Sequence, residues 1–134
     1  MRALIAFPLT ALVIIAYNVL ALLPGFAPDA EVAEFTMSSG AVVALTTGDI
    51  LIIAGLVTLF FEMLKSARPR TGAIVDHILS VGVFIVGLVE FLLVRFAGTA
   101  SFLIITFICL IDVVAGFSVS IVAARRDFTV DSER

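Results

Sequence analysis

Two acidic residues stand in long stretches that are otherwise apolar: Asp112 in SFLIITFICLIDVVAGF and Glu90 in VGVFIVGLVEFLLV. A carboxyl group withdrawn from water must be neutral, be paired, or touch a wet cavity, because an isolated charge in an apolar medium is costly. Asp112 falls near the middle of its stretch, with no Lys or Arg expected at that level. Thr58 and Thr10 are the hydroxyls at matching depth. It therefore reads either as a structural polar tie between helices or as a proton or ion site. Glu90 sits about one turn from the end of its stretch. It can face headgroup water, pair with Arg95, bond Asn18 at the matching depth of the first apolar run, or serve transport. Glu62, three residues before Lys65, reads as an interfacial ion pair, with Asp76 and His77 at the same end.

Other chemistry is thinly supplied. One cysteine, Cys109, and one histidine, His77, exclude an intramolecular disulfide and make a zinc site within one chain implausible. A haem would need a second axial ligand, such as His77 of another copy. No nucleophile–base pair, metal cluster or phosphate-binding loop is visible. The expectation is a non-enzymatic protein with no cofactor, no metal and no nucleic-acid partner.

The elements that must position these residues follow from composition. Of 134 residues, 62% are hydrophobic and 14% charged, and the mean hydropathy is +1.26. That much apolar surface exceeds what a soluble domain of this length can bury, which points to an all-α membrane protein: a single domain, a four-transmembrane-helix bundle. The expected spans are 3–23, 48–66, 74–94 and 100–124, followed by a short polar tail over 125–134. The first run is longer than the apolar core of a signal peptide, so it reads as a retained helix. The absence of Trp leaves Tyr17 and some Phe residues to form any interfacial aromatic belt.

Helical spacing assigns the facing sides. Asp76, Ser80, Val83, Gly87, Glu90 and Val94 share one stripe of the third span, and Gly48, Ile52, Gly55, Leu59, Glu62 and Ser66 one stripe of the second. On the fourth, Ser101, Ile105, Asp112 and Gly116 lie together. Gly48, Gly55, Ser80, Gly87 and Gly116 are thus the expected helix-packing seam, since small residues let helices approach closely in lipid.

The connection 24–47 carries Asp29, Glu31 and Glu34 and no Lys or Arg. Ser38-Ser39-Gly40 between two runs of Phe, Thr, Val and Leu predicts a β-hairpin; the competing reading starts the second helix at Ala41. Thr46-Thr47-Gly48-Asp49 has the form of a helix start. Arg2, Lys65, Arg68, Arg70, Arg125, Arg126 and Arg134 fall on one side of a four-span arrangement and only Arg95 on the other. This predicts that both termini are cytoplasmic and the hairpin extracytoplasmic. Lys65, Arg68, Arg70, Arg125 and Arg126 are expected at lipid headgroups. A bacterial inner (cytoplasmic) membrane is the expected location.

The motifs SGAV ahead of GD, then FFE, DH, EFLLV, and AGF followed by RRDF resemble small four-helix proteobacterial inner-membrane proteins. The resemblance covers most of the chain and implies the fold without an activity. The span-and-hairpin layout is also similar to that of claudins, but the Trp and paired Cys of the claudin first loop are missing here. Small multidrug transporters are similar in length and span number, yet they carry an essential glutamate in a first helix that here has no acid. The function expected is helix–helix association, as a homo-oligomer or an accessory subunit of a membrane complex, in contact with membrane lipids and with itself or other membrane proteins. The alternative is a small transporter or proton- or ion-conducting oligomer using Asp112 and Glu90.

Overall fold

A computed structural model describes residues 7–66 and 73–131. Within them the chain forms four α-helices and one two-stranded antiparallel sheet: α1 (Thr10–Ala21), β1 (Glu31–Thr36), β2 (Val42–Thr46), α2 (Thr47–Ser66), α3 (Ala73–Leu93) and α4 (Ala100–Asp131), with a 3-10 turn at Arg95–Ala97. Three stretches, Thr47–Ser66, Ile74–Leu93 and Ala100–Ser118, are long and apolar enough to cross a membrane; α1 is apolar but shorter.

Of the expected helix over 3–23, the described residues are regular helix from Thr10 to Ala21. Pro8 disfavours helical geometry in the residue before it, so Phe7–Leu9 enters as a non-helical segment. Residues 1–6 lie outside the described residues. At the other terminus α4 runs past Ala124 to Asp131. After Gly116 no Gly or Pro interrupts it, and charged residues such as Arg125 and Arg126 are compatible with helix.

The hairpin is present, which rules out a second helix starting at Ala41. Phe35 pairs with Val43 and Thr36 with Val42. Met37 accepts the Gly40 N–H and donates its own N–H to the Ala41 carbonyl, both at 2.8 Å. Gly40 takes φ +82°, the left-handed position that a three-residue hairpin loop gives to glycine. The strand then passes directly into α2 through a reciprocal cap. The Asp49 carboxylate accepts the Thr46 N–H (2.9 Å) and hydroxyl (2.7 Å), and the Asp49 N–H donates to Thr46 Oγ1 at 3.1 Å.

α1 and α4 each pack against all three other helices, and α4 makes the most extensive contacts with α2 and α3. Of its most apolar stretch 44% is buried, against 11% for α3. The apolar core gathers at the hairpin end around Tyr17, Phe102, Ala97 and Ile105. Tyr17, expected in an aromatic belt, is instead fully buried, its ring edge-to-face with Phe102 (4.8 Å) and Phe26 (5.5 Å). Its hydroxyl donates to the Phe96 carbonyl at 3.2 Å and shares a 2.7 Å hydrogen bond with Thr99. A buried phenol needs partners of this kind, and the turn before α4 supplies them.

Candidate functional site

The polar side chains inside the bundle form two groups, one at each end of α1. At the hairpin end, Asn18 Nδ2 donates to Glu90 Oε2 at 2.8 Å. α1 and α3 run parallel, so nearly the same offset brings Asn18 level with Glu90 and Ile14 level with Gly87. Among the described residues no ion pair joins Glu90 to Arg95.

The second group surrounds Asp112. It lies about 18 Å along α4 from Ala100 at 1.5 Å per residue, and it is buried. The Thr10 hydroxyl donates to Asp112 Oδ2 at 3.2 Å. The Ser80 hydroxyl of α3 lies within hydrogen-bonding reach of the same carboxyl, and Cys109 lies beside both Thr10 and Asp112. Thr58 takes no part: its hydroxyl turns back to the Gly55 carbonyl of its own helix at 2.8 Å. The sequence suggests no cation at this level, yet the Glu62–Lys65 pair meets α1 at Leu9, the residue before the Thr10 that holds Asp112.

Glu62 has a larger role than the expected surface ion pair. It is buried, and its two oxygens are used differently. Oε1 meets Lys65 Nζ at 2.7 Å, while Oε2 accepts the Leu9 N–H at 3.0 Å. Leu9 is the N-cap position of α1 and has no side-chain cap, so a carboxylate from α2 satisfies an otherwise orphaned donor at the positive end of the helix dipole. Lys65, expected at lipid headgroups, has its ammonium tucked against Glu62, 3.2 Å from the Phe7 carbonyl and 3.9 Å from Asp76. Arg68 and Arg70 lie outside the described residues, as do the side chains of Arg125 and Arg126. Glu62 could be found from sequence only by its place on the glycine stripe of α2; the register that carries it to Leu9 is tertiary.

The seam residues lie where helices approach. A Cβ on Gly48 would meet Ser101 and the Pro28 carbonyl, and one on Gly55 would press on Ile108. Gly87 faces Ile14 and Thr106. Gly116 makes room for the His77 ring, which stacks on Phe117 with centroids 5.5 Å apart. Ile74, His77, Ile78, Val81 and Phe117 line a shallow apolar cavity of about 290 Å³ there.

Among the described residues no group of three or more His, Cys, Asp or Glu is arranged to hold a metal. Chemically, the site is a set of interhelical ties between carboxyl, hydroxyl, amide and ammonium groups. No protein-family model, curated protein or solved structure matches this chain.

Proposed function

We propose that this chain is a multi-pass integral protein of a bacterial inner membrane that works by helix–helix association, as a homo-oligomer or as an accessory subunit of a larger membrane complex. The observation that carries this reading is the outward face of α3. Its inward stripe, Ser80, Val83, Gly87 and Glu90, meets α1 and α4. On the opposite side Ile78, Leu79, Ile85, Val86 and Val89 stand exposed, and Gly82 sits among them with open space above it. A small residue centred in an apolar face at helical spacing lets another helix come close, the means by which helices associate in lipid. The interior polar groups support the same reading, since Asp112 and Glu90 are both engaged in holding helices together.

The test is the native mass of the purified full chain in detergent and in nanodiscs, with identification of co-purifying chains. A dimer or larger assembly, or a stoichiometric partner, is expected, and Gly82→Leu should shift it toward monomer. A wild type that is monomeric and alone in both media would overturn the reading.

A second reading, a small transporter or proton- or ion-conducting oligomer using Asp112 and Glu90, is favoured by the placing of the buried Asp112 on Thr10, next to the Leu9 that the Glu62–Lys65 pair holds. A proton-coupled flux lost in Asp112→Asn would establish it.

A further inference from the structure

The start of α1 is held by charge supplied from elsewhere. Glu62 accepts the Leu9 N–H, and Asp112 accepts the Thr10 hydroxyl one residue later. Two carboxyl groups from two different helices thus converge on consecutive residues. Positive charge gathers at the same place: the amino-terminal end of the α1 dipole and the Lys65 ammonium. Lys65 contacts Glu62 at 2.7 Å, the Phe7 carbonyl at 3.2 Å and Asp76 at 3.9 Å. Phe7–Leu9 precedes the regular helix and is joined to its first turn by two backbone bonds, Ala11 N–H to the Pro8 carbonyl at 3.1 Å and Leu12 N–H to the Leu9 carbonyl at 3.0 Å; side chains of α2 fasten the rest, the Leu9 N–H and the Phe7 carbonyl. Next to Thr10 lie the buried Asp112 and the buried Cys109.

We propose that residues 7–10 are a releasable strap over the Asp112 level of the bundle, with Lys65 as its fastening. When Lys65 lets go, the segment lifts, and Asp112 and Cys109 open to solvent from the Lys65 end. Removing this one ammonium loses the contacts to Glu62, Phe7 and Asp76 together and leaves Glu62 buried without its counter-charge, the arrangement that low-dielectric surroundings tolerate least. Local opening is easiest where a segment has few backbone hydrogen bonds of its own. The strap stands whether the protein associates, conducts, or does both.

Cys109 is the only cysteine of the chain and reports on this directly. The measurement is the rate at which N-ethylmaleimide alkylates the full-length protein in nanodiscs, with helicity followed by circular dichroism. Wild type should label slowly. Lys65→Met should label about tenfold faster or more, the change that about 1.4 kcal/mol of easier opening produces. Lys65→Arg, which keeps the charge, should stay near the wild-type rate. Tyr17→Phe loosens the opposite end and should change the rate by no more than about twofold, because well-separated sites act independently. Equal rates for wild type and Lys65→Met overturn the strap, as does equal acceleration by Tyr17→Phe, which would mark a general loosening. Should Lys65→Met fail to fold, Thr10→Val decides the matter: it removes the tie to Asp112 and leaves the Glu62–Lys65 pair intact, so faster labelling supports the strap and a wild-type rate overturns it.

Discussion

A carboxyl group buried between helices can be a tie or a carrier, and the two differ in what a single substitution does. Asp112 meets the Thr10 hydroxyl and lies within reach of Ser80, contacts that an amide can also make. Asp112→Asn should therefore fold with nearly wild-type thermal stability. Asp112→Leu removes the acceptor and strands the Thr10 hydroxyl, which should cost about 1–2 kcal/mol on the scale of polar contacts between helices in membranes. Thermal unfolding of the three proteins beside a mass or flux readout checks this. Equal stability of wild type, Asn and Leu variants would show that the carboxyl makes no bond worth counting, while a folded Asn variant that loses flux would mark a carrier. Sequence made part of this site legible. Matching depth along two apolar runs is enough to set Thr10 against Asp112 and Asn18 against Glu90. It is not enough to reject Thr58, whose hydroxyl is satisfied within its own turn. Nor does it reveal Glu62 as the cap of α1, because that depends on the sliding register of α1 against α2.

The elements were legible where local chemistry decides them. Gly40 and the Thr46–Asp49 pair dictate a turn and a helix start through contacts only a few residues long, and the hairpin and the beginning of α2 lie where those signals place them. α1 was not. Its apolar run reads as one helix, but at Pro8 the described segment is not regular helix, and Glu62 and Lys65 from far along the chain hold it there. Tyr17 was misplaced for a related reason: composition offers it to an interface, whereas packing draws it beneath the turn that precedes α4. There its hydroxyl joins α1 to Phe96 and Thr99, and Thr99 Oγ1 accepts the Phe102 N–H at the first turn of α4. One phenol therefore links three consecutive features, the end of α1, the 3-10 turn and the α4 cap. Tyr17→Phe keeps the ring packing and removes only the oxygen, leaving the part-buried Phe96 carbonyl and the Thr99 hydroxyl short of a partner. A loss of about 1–2 kcal/mol is expected, read as a lowered Tm with unchanged helicity. An unchanged Tm would show that water replaces the hydroxyl at no cost.

At the scale of the whole molecule the proposed four-span arrangement requires α1 to run the length of the bundle, although its regular helix has only 12 residues. Its flanks support that proposal. At one end Leu9 and Phe7 meet Glu62 and Lys65, near the last turn of α2. At the other, the segment after α1 returns to the first turn of α2, where Gly48 N–H donates to the Pro28 carbonyl at 2.7 Å and Thr47 N–H to Ala30 at 3.0 Å. Residues 7–23 and their connection therefore extend along the full length of α2, a helix of 20 residues, or about 30 Å, which is the thickness of a bilayer's hydrocarbon core. With α1 counted, seven of the eight Lys and Arg residues share one side and Arg95 stands alone on the other; without it, Arg2 joins Arg95 and the asymmetry weakens. The four-span arrangement predicts that reporters fused before Met1 and after Arg134 are both active only in the cytoplasm, and that a tag in the Ser38–Gly40 turn is reached only from outside. Opposite readouts from the two termini would mean that α1 lies along the membrane surface or folds back, and Glu62 would then be capping a helix that never crosses.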